Sequence, residues 1–335
     1  FTKLVAWNTQ QTIYKHVASN LMKQTLFLIS FFLTLNLFGQ KPAEKVGEIE
    51  IELIGHNFKR NSDYELTKKK TNRKNRPFLK MYFDSNGTLI KSINFGKHHN
   101  TDLRLLNQIN IYNYNSNGLK SKIDIWETDY DKNLSHKYYK KFDLDSTKTK
   151  IVSQKMYEVE SDTIFTQKDY WFNEKGQYQG EFFDSTYYYR REYNDKNKLI
   201  KLQQIYNGEL NWETNYSYSD NQRVGIFQTY YNDGKDYSKK EIRTYDKKGR
   251  LIEIEELQIT RDGLEDKIKI YYDKDGVIEK IEEYDSYNRE DGYELVSYRK
   301  VIVKSQVKVD SLISEKINEQ IRPEWKTTGN NVYKT

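Results

Sequence analysis

The sequence predicts an all-β protein: repeated antiparallel β-hairpins strung into an extended twisted meander or open β-repeat sheet, with a short C-terminal helix. Three observations carry this. The pattern Tyr/Phe-Asp/Asn-x-x-Gly-x-aliphatic recurs about every 27 residues along the chain. Its flanks, such as Glu48-Ile49-Glu50-Ile51-Glu52-Leu53, alternate apolar and charged residues with the period of a half-buried strand. The composition, with 29 Tyr, 15% aromatics and only 3 Pro, suits strands packed on one face and wet on the other.

The N-terminal stretch reads as an address and not as fold. Met22-Lys23-Gln24 precedes an apolar run from Thr25 to Phe38, and Gly39 follows. A positive start, a short apolar core and a small residue form a secretory signal peptide over 22–39. Residues 1–21 read as a lead ahead of that signal. Export to the periplasm, the outer surface or the medium is therefore expected, with the mature chain starting near Gln40. Residues 1–40 hold Lys3, Lys15 and Lys23 and no acid, leaving 52 basic against 49 acidic residues and a net charge of +3 in place of +6. Mixed charge of this kind describes a solvated surface and argues against a nucleic-acid partner. No Cys is present, which excludes disulfides, thiol catalysis and cysteine zinc sites. A mature chain of about 295 residues is long enough to hold itself together by burial. No later segment is apolar enough to cross a membrane as a helix.

The mature chain divides into three parts. Residues 40–76 hold an entry strand and a loop made basic by Lys59-Arg60, Lys68-Lys69-Lys70, Arg73-Lys74 and Arg76. Residues 77–298 hold the hairpins. The clean repeats are Phe83-Asp84-x-x-Gly87, Tyr245-Asp246-x-x-Gly249 and Tyr272-Asp273-x-x-Gly276. Degenerate ones begin at Tyr114, Phe142, Phe172, Tyr193 and Tyr218, with Gly118, Gly176 and Asn197 at the glycine position. Each position has a physical reason. The Gly or Asn ends a three-residue loop in the left-handed region. The preceding Asp or Asn accepts a turn N–H. If Lys274-Asp275-Gly276 is the loop, Asp273 pairs with Val277 and Tyr272 lies across from Ile278, an aromatic–aliphatic pair contributing about 0.2–1 kcal/mol. Residues 299–335 start with a strand at Val301-Ile302-Val303. A helix from Asp310 to Pro323, with Leu312, Ile313, Ile317 and Ile321 on one stripe, is expected to cover the last sheet edge.

Chemistry is scarce. The five His are His16, His56, His98, His99 and His136; the adjacent pair His98-His99 would point to opposite faces of a strand and share no metal. The Asp-rich turns lack the further acid that a calcium loop needs. Acid pairs such as Glu255-Glu256 and Glu282-Glu283 are commonplace among 49 acids. No nucleophile elbow, HExxH, phosphate loop or dinucleotide fingerprint occurs. Neither cofactor nor metal is expected. The lead for function is the aromatics Tyr138, Tyr170, Trp171, Tyr188, Trp212 and Tyr230, which could stack sugars or contact a protein.

At Tyr245-Asp246-x-x-Gly249-Arg250-Leu251, Tyr272-Asp273-x-x-Gly276 and Phe83-Asp84-x-x-Gly87 the chain resembles the YD (RHS-type) repeat family, over roughly residues 80–285. That resemblance implies bacterial surface β-sheet assemblies, some carrying a toxin. A toxin-like C-terminal domain is not expected here, and about eight repeats are expected to be too few to close a shell. Val224-Gly225-Ile226-Phe227-Gln228-Thr229-Tyr230-Tyr231-Asn232-Asp233-Gly234-Lys235 is locally similar to MORN-like repeats of the YwqK antitoxin type. Neither resemblance supplies catalytic residues. The expected function is a non-enzymatic envelope or secreted binding scaffold for a protein or polysaccharide; a glycan hydrolase and a structural spacer are the alternatives.

Overall fold

The structure is a computed structural model. It describes residues 47–60, 66–70, 75–97, 104–129, 132–184, 186–230, 238–259, 263–286 and 292–322, all within one compact unit. The expected lead (1–21), the signal peptide (22–39), His98-His99 and Pro323 lie outside these residues.

Nineteen strands follow in order: β1 (Ile49–Arg60), β2 (Leu66–Lys70), β3 (Leu79–Phe83), β4 (Leu89–Lys97), β5 (Arg104–Tyr114), β6 (Lys120–Thr128), β7 (Leu134–Leu144), β8 (Ile151–Glu158), β9 (Ile164–Phe172) and β10 (Tyr178–Asp184) make the first half. The second half is β11 (Tyr187–Tyr193), β12 (Leu199–Tyr206), β13 (Glu209–Tyr218), β14 (Gln222–Thr229), β15 (Ser238–Tyr245), β16 (Leu251–Gln258), β17 (Gly263–Tyr272), β18 (Ile278–Asp285) and β19 (Glu294–Ser305). One helix, α1 (Ser311–Ile321), ends the described chain.

The sheet is closed, which corrects the expectation of an open meander. From β3 to β19 every strand pairs antiparallel with the next in sequence. β1 then joins the two ends, pairing with β3 on one side and β19 on the other. β1 and β3–β19 thus form an 18-strand barrel, while β2 pairs only with the far end of β1. Closure has a plain cause. An open ribbon would leave β3 and β19 with rows of unpaired N–H and C=O groups, and β1 satisfies both rows at once. Eight hairpins, β19 and the returning strand β1 are therefore enough to close a ring.

The motif turns share one rim and one design. Asp273 Oδ1 accepts from the N–H groups of Asp275 and Val277, both at 2.9 Å. Asp84, Asn115, Asn194 and Asp246 make the same pair of bonds. These oxygens are spent on backbone, not on a cation. Gly249 and Gly276 have φ of +75° and +84°. Tyr272 sits opposite Ile278, Tyr245 opposite Leu251 and Phe83 opposite Leu89, each after a one-residue bulge. In the degenerate copy begun by Phe142 the left-handed residue is Lys148, beyond Ser146, which occupies the glycine position of the motif.

The sequence motif leaves out a second function of its tyrosine. Tyr272 donates its hydroxyl to the Leu251 carbonyl at 2.8 Å, in the hairpin before its own. Tyr218 does so to Leu199, Tyr193 to Tyr178 and Tyr114 to Leu89, at 2.6–2.7 Å. The acceptor is always the first residue of the strand that follows the previous turn. A basic residue just behind that turn also lies over the next motif ring: Arg250 over Tyr272 at 4.4 Å, and Lys198 over Tyr218 at 4.9 Å. The motif therefore fastens each hairpin to its neighbour along the rim.

The lumen is filled unevenly. Ile49, Ile51 and Leu53 of β1 pack with Phe83, Ile254, Ile268, Ile281 and Val301, and α1 inserts Ile313, Ile317 and Ile321 among them. Asp310 caps α1 by accepting from the Ile313 N–H at 2.9 Å. Asn318 accepts from the Ile278 N–H and donates to the Gly276 carbonyl, both at 2.8 Å. The helix thus plugs the motif rim against the turns of β3–β4 and β17–β18. It does not cover a sheet edge, because β19 has none free. Leu312 leaves the expected stripe and is 60% exposed. A second cluster joins Tyr189, Leu202, Trp212 and Tyr216 from β11–β13. Between the clusters, Glu241 accepts from Arg243 Nε at 2.7 Å and Arg223 Nη2 at 3.3 Å inside the wall.

The outward face carries charge. Glu50 and Glu52 meet Lys80 and Lys304. Glu282 meets Lys280, Tyr271 and Tyr284; burial works against its ionised form, but these three partners hold it down to about 2. A lipid-facing barrel wall needs an uninterrupted apolar band. Charge interrupts that band in the sector of β1, β3, β18 and β19. Among the described residues no helix is long and apolar enough to cross a membrane.

Two outcomes test this architecture. Ile51→Ala, at the seam between β3 and β19, is expected to cost about 2–5 kcal/mol in urea unfolding; a loss below about 1 kcal/mol would show that the seam is not packed. Tyr272→Phe deletes one inter-hairpin hydrogen bond and is expected to cost about 0.5–1.5 kcal/mol, with an unchanged melting temperature as the contrary result.

Candidate functional site

A cavity of about 420 Å³ lies in the part of the lumen that neither cluster fills. It is lined from β5 to β10 and reaches the motif rim at Gly118. Leu119, Ile123, Phe142, Ile151 and Phe172 make its apolar wall, and Tyr112, Tyr114, Tyr170 and Tyr178 add ring faces. Its cations are Lys120 and Lys140, and no carboxylate lines it.

The cavity follows from departures in the repeat. At the position across from the motif aromatic, β4, β12, β16 and β18 carry Leu89, Leu199, Leu251 and Ile278. At the same position β6 carries Lys120, opposite Tyr114, and β10 carries Tyr178, opposite Phe172. Lys140 joins from the middle of β7, opposite Ile123.

The polar groups of the wall are mostly committed. Tyr114 donates to Leu89, Tyr112 shares a hydrogen bond with Ser92 at 3.2 Å, and Tyr178 donates to Glu181 at 3.1 Å. Glu181 is in turn paired with Lys168 at 3.1 Å. Burial raises the pKa of Tyr112, Tyr114 and Tyr178, so these hydroxyls stay neutral. Lys120 and Lys140 have no carboxylate or hydrogen-bond partner among the described residues; the Lys120 ammonium lies 5.8 Å above the Tyr112 ring. Burial lowers the pKa of Lys120, and Lys140 lowers it further. Burial and then Lys168 do the same to Lys140. Behind Tyr178 stands Arg191, 2% exposed and 4.4 Å over that ring, with both terminal nitrogens lacking a partner. This side of the lumen is cationic and short of acceptors.

The six expected aromatics do not form one surface. Tyr170 lines the cavity. Tyr138 points into the lumen farther from the motif rim, and Trp212 is buried in the β11–β13 cluster. Tyr230 is exposed past β14, donating to Glu213 at 3.1 Å. Trp171 and Tyr188 face outward, joined by Phe182 at 5.9 and 5.3 Å. Of the histidines, His56 stacks on Tyr298 and His136 on Trp126, so they stand apart. Glu282 faces out while Glu283 faces in toward Arg299, and neighbouring acids of this kind do not converge. Lys120 and Lys140 were missed among 55 basic residues. The signal that marks Lys120 is a lysine at the aliphatic place of the motif.

No family description and no curated protein matches the chain. Among solved structures, a porin-like protein from Bacteroides uniformis is similar over 78% of this chain and 99% of its own, at 9% identity and TM-score 0.38. The TcdB2-TccC3-TEV chain is similar over 74% of this chain, at 8% identity and TM-score 0.36. The Photorhabdus luminescens Tc holotoxin pore is similar over 64%, at 12% identity and TM-score 0.20. This chain spans only 14% and 15% of those two toxin chains. At such scores the likenesses carry no argument about function, and the barrel rests on its own strand pairing.

The lysines predict a stability signature. A folded lysine with a lowered pKa binds fewer protons than the unfolded chain up to the ordinary value of 10.5. Stability should then rise as pH climbs toward that value, because the unfolded chain holds the extra protons. Lys120→Met is expected to raise the melting temperature of the unliganded protein near neutral pH and to flatten that rise. A lower melting temperature would show that Lys120 has a stabilising partner.

Proposed function

We propose that the protein is an exported, non-enzymatic barrel of the cell envelope that holds a small ligand in its lumen. Its hairpins are read as YD-type repeats whose rim fastening builds a rigid wall. The observation that carries this reading is the cavity: its volume falls in the usual range for small-molecule sites, about 300–1,000 Å³, and a few polar groups stand in an apolar, aromatic wall. The hydrogen-bonded tyrosines hold that wall in place before a ligand arrives, which keeps the ordering cost of binding low. Export follows from the expected signal peptide, and the charged outer wall suits an aqueous envelope compartment.

The neutral dye Nile red tests the site. One-site, saturable fluorescence is expected with the intact protein. Ile123→Trp fills the cavity and is expected to weaken the dye several-fold while circular dichroism stays unchanged. Equal binding by both proteins would sink the lumen reading.

A further inference from the structure

We propose that the lumen cavity takes a linear amphiphilic anion, an acyl chain ending in one carboxylate, with the carboxylate set against Lys120 and Lys140. The inference deepens the lumen reading and rests on it.

Three features of the wall select this class. The first is charge without a counter-charge. Two ammonium groups line one cavity, no acid lines it with them, and neither is hydrogen-bonded among the described residues. A carboxylate accepts charge-assisted hydrogen bonds from both and relieves their mutual repulsion. The second is where the remaining polar capacity lies. The hydroxyls of Tyr112, Tyr114 and Tyr178 are committed to Ser92, Leu89 and Glu181. Beyond the lysines that leaves Gln154, which accepts from Tyr170 at 3.5 Å, as the side chain with hydrogen bonds to offer; a sugar would bury more hydroxyls than it can satisfy, at a cost of roughly 1–3 kcal/mol for each unsatisfied one. This argues against the polysaccharide partner for the lumen. The third is the body of the cavity. Leu119, Ile123, Phe142, Ile151 and Phe172 offer only apolar contact, which suits methylenes at about 0.8 kcal/mol each. The end of the cavity at Gly118 is near the motif rim, where nothing lies within 4 Å of the place a Cβ would take, and α1 plugs the adjoining sector against Gly87 and Gly276. An acyl chain could therefore enter without displacing the helix.

Isothermal titration of the full protein with decanoate, decanol and glucuronate separates the parts. Decanoate is expected to bind saturably. Decanol should bind at least about tenfold more weakly, as the loss of one charge-assisted bond pair implies. Glucuronate should bind more weakly than either. Lys120→Met with Lys140→Met should bring decanoate down to the level of decanol. If that double variant fails to fold, sodium chloride titration of the wild type replaces it, and decanoate alone should weaken with salt. Equal binding of decanoate and decanol would overturn the anion and leave the lumen reading intact. Tighter glucuronate would overturn the acyl chain. No heat from any of the three, with Nile red also unbound, would overturn both readings together.

Discussion

The barrel depends on β1. Glu50 receives hydrogen bonds from Lys80, 30 residues on, and from Lys304, 254 residues on. The same strand gives Ile49, Ile51 and Leu53 to the lumen cluster that α1 completes. Apart from β1–β3, which skips β2, every other neighbouring pair in the ring is sequential and forms at short loop-closure cost. The β1–β19 pair alone must wait for nearly the whole described chain. Closure is therefore the slow, non-local step, and it rewards all the local hairpins at once by removing both sheet edges.

Closure also explains how the lumen divides. The sector around β1 needs apolar depth on both sides of the seam, and α1 is tethered by the short link after β19, so it fills that sector. Its Asn318 holds the β17–β18 turn and its Lys316 holds Asn86 in the β3–β4 turn. The second cluster relies on the bulk of Tyr189, Trp212 and Tyr216. From β5 to β10 neither helix nor large cluster arrives, and the wall holds itself apart through its own rim bonds. The cavity is the remainder of two packing solutions.

Much of the local structure was legible in the chain. The turn chemistry of Asp273 and Gly276 can be read residue by residue, because each loop needs an acceptor and a left-handed residue in fixed places. The pairing of Tyr272 with Ile278 follows from loop length. What lay beyond the sequence was non-local. A period-two pattern is the same in an open ribbon and a closed ring, so nothing in β1 or β19 announces their pairing. The faces of the aromatics were hidden by the bulges beside the motif turns of β5–β6, β15–β16 and β17–β18, each of which shifts the alternation on one strand. The fastening of Tyr272 to Leu251 was also out of reach, since a tyrosine explained by its cross-strand partner leaves no cue for a second partner.

Lys120 brings these constraints together. An aliphatic residue lies across from the motif aromatic in β4, β12, β16 and β18, whereas β10 and β14 carry Tyr178 and Arg223 there, the latter paired with Glu241. A lysine at that place in β6 forgoes the burial gained elsewhere and sets an ammonium near another one. No carboxylate lines the cavity with it, and Glu181 behind Tyr178 is already engaged by Lys168 and Tyr178. A residue that breaks the local rule with no gain to the fold belongs to what the fold is for. The same reasoning extends to Arg191, buried behind Tyr178 with its two terminal nitrogens lacking a hydrogen-bond partner. Positive charge has accumulated on the one side of the lumen that packing left open, and a bound anion is the simplest species that gives it a counterpart.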